Sequence, residues 1–579
     1  MDTNTYFVAT TGNDYASGSI DDPFATLSHA LDVVGGNGGN IYLREGTYNP
    51  TEAEWLASGT ADNHLKISSY NGEKVTLDGS WFGDTGFILR SSQYVDINGL
   101  ELVNFGGHGM EVIAGSHITL TNNKVHETVG MGIRVRGETV ESEGQGWNKA
   151  YDVVVDGNEI FRTQKYNSGA NKGNVLWGMA FNGMNVDNLT VTNNYIHDNY
   201  GEGIGVELAR NCNISNNILG DNFSVEMYVD NIVNSTFDSN FIYNTGNQEY
   251  YRNGYAANGI QIANETYKTS DDPSQYYVNN NTITNNIVVG GSTGLYYGTY
   301  SGWGNEGSNQ HSMKNTLIAN NTFYNPTYSA IQIDYDPGIE NVQIANNIFS
   351  GGGGVNISGN TGLNFNSNLW SNVDPGAAAS ANDVYGDPMF VNGGGLSAED
   401  YQLQAGSVAI DKGSVIDKVL DDSEGTARPM NGSYDIGADE FDNGSAPVAQ
   451  PAPVEEPAPV AQPAPVEETA PVAQPALVEE SAPVEETAPV EESVPVAQPA
   501  LVEEPAPVEE CAPVEESVPV EETAPVEESV PVEETAPVEE TAPVEETAPV
   551  EEPSYELDPK LLEGLDPELK GFILKFCQK

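Results

Sequence analysis

The chain has 579 residues, with 85 Asp and Glu against 22 Lys and Arg, a formal net charge of −63. Residues 446–553 hold 28 Glu and no Lys, Arg or Asp; with that segment and the last 26 residues (five acidic, four basic) set aside, residues 1–445 keep 52 acidic and 18 basic side chains, a net −34. This balance argues against nucleic acid as a partner and is compatible with divalent cations or a high-salt exterior.

Cysteine usage adds little. Cys212 falls on a predicted strand, Cys511 in the Glu-rich segment and Cys577 near the end, which implies no disulfide framework within a domain and no metal-thiolate site. The start, MDTNTYFVATTGND, shows no basic region followed by an apolar run, and no stretch of about 20 apolar residues occurs anywhere. The expectation is therefore a secreted, cell-surface or virion protein whose leader was removed or whose export takes another route.

In chain order, residues 1–50 come first as a cap. Leu27, Ala30, Leu31 and Val34 recur at helical spacing and predict a short amphipathic helix over Thr26–Val34. A cap is required because an uncovered coil exposes an edge.

Residues 51–375 carry a recurring Asn pair that closes a β-branched run, as in ITLTNNKV, LTVTNNYI, CNISNNIL, NTITNNIV, TLIANNTF and VQIANNIF. The second residues of these pairs are Asn123, Asn194, Asn217, Asn286, Asn321 and Asn347, and Asn158, Asn240 and Asn368 occupy cognate positions. Asn194 to Asn217 and Asn217 to Asn240 are both 23 residues, and Asn321 to Asn347 is 26. A period of that length, built of short strands and tight turns, predicts a β-solenoid with one coil per repeat. The longer gaps, 35 residues from Asn123 to Asn158 and 46 from Asn240 to Asn286, correspond to one coil plus an inserted loop or to about two coils, and insertions are where function tends to sit. The Asn ladder itself is expected to be structural: Asn tolerates the left-handed backbone of a tight turn, and its amide stacks from coil to coil.

Counting from each Asn sorts the other residues onto faces. Ten and twelve residues on lie Ile133 and Val135, Ile204 and Val206, Met227 and Val229, and Ile331 and Ile333, all apolar and hence inward. Eleven and thirteen on lie Arg134 and Arg136, Gly205 and Glu207, Tyr228 and Asp230, and Gln332 and Asp334, hence outward, joined by Asn182 and Gln261 once insertions are allowed for. Coils stack at about 4.8 Å, so Glu207 and Asp230 are expected side by side, with Tyr228 beside them and the arginines a coil or two below. Such a carboxylate pair suits an acid/nucleophile pair, a shared proton or a cation; vertical charge ladders also stabilise solenoids without any chemistry. Proton abstraction beside a uronate carboxylate needs a base, an acid and charge neutralisation, and Lys165, Tyr228, Arg134 and His197 are the side chains of the right types. His197, next to Asp198, reads better as a turn or edge residue.

The insertions TQKYNSGANKGNVLW and YNTGNQEYYRNGY bring Lys165, Trp177, Tyr250, Tyr251 and Arg252 to neighbouring coils, and GLYYGTYSGWG adds Tyr296, Tyr297, Tyr300 and Trp303. Rings stack on pyranose faces while charges position carboxylates or hydroxyls. The candidate catalytic set is accordingly Glu207, Asp230, Tyr228, Arg134 and Lys165, and the candidate substrate-binding set is Arg136, Trp177, Asn182, Tyr250, Tyr251, Arg252 and Gln261. Glu202 and Asp221, on related turns, are the candidate metal ligands, with Ca2+ the expected ion.

Residues 376–445 form a β-rich cap module, DPMFVNGGGLSAEDYQLQAGSVAIDKGS followed by EGTARPMNGSYDIGADEF. This resembles the C-terminal module of bacterial surface β-helix proteins. The GND, DDPFATLSHAL and IYLREGTY pieces near the start resemble the N-terminal motif of secreted right-handed parallel β-helix proteins of the pectate-lyase-like superfamily. The resemblance spans about residues 5 to 441 and implies a right-handed parallel β-helix. It leaves function open, since that superfamily hosts lyases, hydrolases, epimerases and inert scaffolds. Neither the acidic signature of polygalacturonase-type hydrolases nor the Tyr-Asp-His signature of mannuronan epimerases is recognisable, so no family residue is carried over.

Residues 446–553 repeat APVEET and relatives; proline locks φ, like charges repel, and an extended disordered stalk of about 330 Å is expected at the polyproline rise. In residues 554–579, Asp558-Pro559 and Asp566-Pro567 read as helix starts, and Leu569, Phe572, Ile573 and Phe576 share one face, an amphipathic segment for docking a protein partner or self-assembly. Two functions are compatible with all of this. One is an extracellular carbohydrate-active β-helix acting on a surface or matrix polysaccharide as uronate lyase, epimerase or hydrolase. The other is a non-catalytic glycan-binding adhesin or virion spike displayed on its stalk.

Overall fold

The computed structural model describes residues 4–50, 53–80, 84–140, 146–169, 178–265, 278–298, 312–359, 361–430 and 432–442. The expected stalk and terminal helix lie outside the described residues. Three parallel sheets run the length of a β-helix; among the described residues sheets 1 and 2 have 13 strands each and sheet 3 has 11. One coil reads Ser116–Thr121 in sheet 1, Lys124–His126 in sheet 2 and Ile133–Arg136 in sheet 3. Strand pairs hold register from coil to coil, Ile118 on Val153 and Val125 on Ile160, for example. Alternate residues therefore stack as columns: Ile118, Val153, Leu189, Val125, Ile160 and Ile196 are all fully buried in one continuous core.

The Asn pair works by division of labour. The first residue of each doublet, Asn122, Asn193, Asn216, Asn285, Asn320 and Asn346, has φ between 52° and 57° and turns the corner from sheet 1 to sheet 2. Gly157, Ser239 and Ser367 do so in the coils lacking a doublet. The second residue points inward. From Asn123 through Asn158, Asn194, Asn217, Asn240, Asn286, Asn321 and Asn347 to Asn368, each Nδ2 donates to the next Oδ1 at 2.9–3.1 Å. The same oxygen also accepts from the preceding Asn backbone N–H at 2.9–3.0 Å. Nothing polar is left unpaired in a dry interior, which is why such a column is tolerated there. Asp383 closes it by accepting from the Asn368 N–H at 3.1 Å.

A second, shorter ladder lies at the corner from sheet 2 to sheet 3. Asn199 donates to Asn222 at 2.8 Å, and Asn222 donates to Glu226 at 2.7 Å. Burial, above all, holds the Glu226 carboxyl well above its ordinary pKa.

Both ends are covered. Helix Leu27–Val34 buries Leu27, Ala30, Leu31 and Val34, the residues its spacing predicts, and Thr26 caps it by accepting from the His29 N–H at 3.2 Å. The C-terminal module packs Tyr401 against Phe241 and Tyr324 of sheet 2. It is pinned at the Asn corner: Asn285, Asn320 and Asn346 donate to the carbonyls of Asp421, Asp435 and Ser414 at 2.8–3.2 Å. Its own centre is Arg428, 1 % exposed, which donates to Glu440 at 2.7 Å. Cys212 is a buried free thiol. No helix among the described residues is long and apolar enough to cross a membrane.

Candidate functional site

The Asn ladder leaves only some corners free to grow. Between sheets 1 and 2 the connection is two residues in every coil that contributes to the ladder, because an inserted residue would take the amide out of line. The long connections border sheet 3 instead: residues 162–178 and 244–257 enter it, and 137–149, 264–281 and 299–316 leave it. The outer face of sheet 3, between the corners that carry these connections, is called the trough.

On that face Glu207 is the register neighbour of Asp230, as the 23-residue period predicts. Asn182, one strand earlier, donates its Nδ2 to Glu207 Oε2 at 2.8 Å. Asp230 Oδ1 accepts from the Glu265 N–H at 2.9 Å and from Asn231 Nδ2 at 3.0 Å. Tyr228 donates its hydroxyl to Glu265 Oε1 at 2.5 Å. Tyr228 and Asp230 do point away from the core, yet they are 5 % and 0 % exposed. Alternation alone reads them as solvent-facing, whereas the chain after Ala263 folds over them.

Glu202 begins the strand that ends in Glu207, and it is buried. Burial first, then the charges of Glu207, Glu265 and Asp230, push its carboxyl well above the ordinary range, with Arg252 opposing. Gly205 lies between the two glutamates, and a Cβ there would fall 2.0 Å from Met179 Sδ, so only glycine lets Met179 cover the strand. Burial and the charges of Asp230, Glu265 and Glu202 raise the Tyr228 phenol far above its usual pKa. It is a hydrogen-bond donor here, to Glu265.

The arginines lie two strands away, Arg134 in line with Asn182 and Arg136 with Met184. Arg136 Nε donates to Glu111 Oε1 at 2.7 Å, and Arg134 approaches the same oxygen at 3.5 Å. Arg134 Nε is buried and has no hydrogen-bond partner among the described residues. Burial and Arg136 lower its pKa, while Glu111 and Glu207 draw it back up.

Several expected members stand elsewhere. Lys165 pairs with Glu127 on the preceding turn, because the insertion starts with a 3-10 turn, Lys165–Asn167, that keeps it beside Glu127. Asp221 accepts from the Thr245 N–H at 2.9 Å and is influenced by Asp198 and His197. Glu202 and Asp221, the expected metal ligands, are thus influenced by different charged groups. Tyr250 is buried against Tyr200 at 5.3 Å, and Tyr251 follows it at the end of the 3-10 turn Gln248–Tyr250. Gln261 does share the sheet 3 face, in register with Tyr228, and accepts from Asn258 at 2.8 Å. Arg252 donates to Ser224 Oγ at 3.3 Å and acts on Glu202 through its charge. His197 stacks on Tyr195 at 3.9 Å and contacts Asp198 at 2.7 Å on sheet 2, away from the trough. Tyr296 is on the sheet 3 face, donating to Asp334 at 2.9 Å, while Tyr297 is in the core. Trp177, Tyr300 and Trp303 lie outside the described residues.

The residues that sequence reasoning missed are Glu111, Asn231 and Glu265. Glu111 stands 23 residues before Arg134, so the coil period reaches it. Glu265 lies beyond the end of strand Asn258–Ala263, where counting fails. Among the described residues no three His, Cys, Asp or Glu side chains gather as a ready metal centre.

Comparison with known proteins agrees with this geometry at the level of fold. Pectate lyase PEL9 of Emericella nidulans is 29 % identical over 150 residues, 23 % of this chain and 36 % of that protein. The Bacillus subtilis protein YwoF is 24 % identical over 215 residues, 35 % of this chain and 43 % of that one. The chain thus spans well under half the length of these curated relatives. The crystal structure of pectate lyase Pel9A aligns at 17 % identity and TM-score 0.46, covering 76 % of this chain and 96 % of its own. The family model described as the Pel9A-like, right-handed beta helix region matches residues 6–347, and the chain belongs to that family.

Proposed function

We propose that this protein is carbohydrate-active and cleaves an acidic, uronate-containing polysaccharide by elimination in the trough of sheet 3. The observation that carries the reading is a carboxylate cluster on one face: the Glu202 carboxyl, raised well above its ordinary range by burial and by Glu207, beside the adjacent pair Glu207 and Asp230. A carboxyl raised by burial among other carboxylates is a candidate general acid. The name of the Emericella nidulans relative points in the same direction.

In this scheme Glu207, the less buried of the pair, takes the proton from C5 of the uronate. The C5–H electrons form the C4=C5 double bond, the C4–O bond breaks, and Glu202 protonates the leaving oxygen. Arg134, whose buried Nε lacks a hydrogen-bond partner among the described residues, receives the uronate carboxylate. Tyr228 and Asn182 hold Glu265 and Glu207 in place.

Ca2+ belongs to the proposal at Glu207 and Asp230, where it would relieve the repulsion among four neighbouring carboxylates. Two carboxylates fall short of the six to eight oxygens calcium takes, so substrate and water would complete the shell. When bound, the ion would neutralise the uronate carboxylate. A polymer of this kind is met outside the cell, and a secreted or surface location is part of the same reading.

The test is incubation with polygalacturonate and alginate, scoring absorbance of the unsaturated product and new reducing ends, with and without a chelator. Unsaturated ends are expected. Reducing ends without unsaturation would replace elimination by hydrolysis, and binding without either would leave a glycan-binding protein.

A further inference from the structure

A second site lies away from the trough, where the end of sheet 2 meets the C-terminal module. An open cleft of about 1190 Å³ lies between the end of strand Leu369–Ser371 and the loop that follows Val384–Tyr385. No strand of sheet 3 contributes to it. Its floor comes from the DPMF motif of residues 387–390, which the sheet 3 chemistry does not use.

We propose that this cleft binds a neutral oligosaccharide, as a site separate from the trough and independent of the cleavage reading. Four aromatic residues line it: the buried Trp370, Tyr324 and Phe390, these two edge to face at 5.9 Å, and Tyr385. Tyr385 is 58 % exposed and packs on no other ring among the described residues, so a ring face is available for the C–H face of a pyranose.

The polar lining selects the ligand class. Asp374 and Asp387 line the cleft, and no Lys, Arg or His does. Each carboxylate is oriented by one backbone N–H, Gly376 on Asp374 Oδ1 at 3.0 Å and Met389 on Asp387 Oδ1 at 2.8 Å. The second oxygen of each is left to accept hydroxyl hydrogens, which a sugar supplies in number. Two carboxylates with no cation beside them repel a uronate. The trough, with Arg134, Arg136 and Arg252, and the cleft therefore sort acidic from neutral sugars by charge.

The experiment is calorimetric titration of the full chain with xylohexaose, cellohexaose and hexagalacturonate. At least one neutral hexaose is expected to bind. Tyr385→Ala should weaken that binding at least tenfold, while leaving cleavage in the trough and the affinity for hexagalacturonate unchanged. The paired change Glu207→Gln with Asp230→Asn should leave neutral binding as it was. Failure of both neutral hexaoses to bind would overturn the proposal. Unaltered neutral binding in Tyr385→Ala, loss of it in the carboxylate variant, or a drop in hexagalacturonate affinity on Tyr385→Ala would each do the same. Tyr385 is largely exposed, so its replacement does not threaten folding, and an unchanged circular dichroism spectrum checks this.

Discussion

The corner between sheets 1 and 2 is two residues long in each of nine coils from Asn123 to Asn368, whereas the corners bordering sheet 3 range from one residue, Asn185, to 18 residues, 264–281. The first corner is bound by a buried column of amides that bond to the coils on either side. The others carry no such column along their whole length; the shorter Asn199–Asn222 ladder ends at Glu226. A scaffold that fixes one corner leaves the rest free to vary, and the connections of variable length border the sheet whose face gathers the unusual carboxylates.

The sharpest way to break this comparison is an insertion. One Ala placed between Asn216 and Asn217 should cost more than about 4 kcal/mol in urea unfolding, since it removes an amide from the column and shifts register. The same residue placed between Gly246 and Asn247 should cost under about 1 kcal/mol. Equal losses would show that the corners do not differ.

Next in size is the chemistry of the free face. Glu207→Gln or Asp230→Asn should lower cleavage about 10³-fold with the unfolding midpoint nearly unchanged. Wild-type turnover in both variants would clear the face of a catalytic role.

Within the ladder, Asn217→Ala should destabilise by about 3 kcal/mol, because it strands buried donors and acceptors on both neighbouring coils. Asn211→Ala, at an exposed corner where Nδ2 donates to Asn188 at 3.3 Å, should stay within about 0.5 kcal/mol. A similar cost at both positions would place the stability somewhere other than the buried column.

The smallest effect concerns pH. Burial raises the carboxyls of Asp435 and Asp439 in the C-terminal module to about 7. Between about pH 4, the unfolded value, and pH 7 the folded module therefore holds protons that the unfolded chain has released. Its stability falls as pH rises through that window. The urea midpoint of the module, followed by the near-ultraviolet signal of Tyr401 and Tyr434, should be higher at pH 5 than at pH 7.5. Asp439→Asn, which can still accept from the Leu403 N–H through its amide oxygen, should flatten the slope; an unchanged slope would remove Asp439 as its source.

Much of the scaffold was legible in the residues. Leu27, Ala30, Leu31 and Val34 predicted the capping helix, and the Asn period placed Glu207 beside Asp230 and separated inward from outward side chains. Glu111 was within reach of the same count. The first Asn of each pair, with its left-handed backbone, was harder to separate from the second, because both roles suit the same side chain. The positions of Lys165, Tyr250 and Glu265 were not legible. Each lies on a connection whose length interrupts the period, so its neighbours come from other coils.

What the sequence by itself determined is the repeating coil. Local rules suffice for it: alternation, a left-handed corner, and an amide that meets its own kind one period later. Only the tertiary structure decided the surroundings of the site, namely that Asp230 is covered, that Glu202 shares a field with three other carboxylates, and that the C-terminal module encloses a cleft beside Tyr385. Burial and electrostatic coupling depend on which loops fold over which face, and no short-range pattern along the chain encodes that.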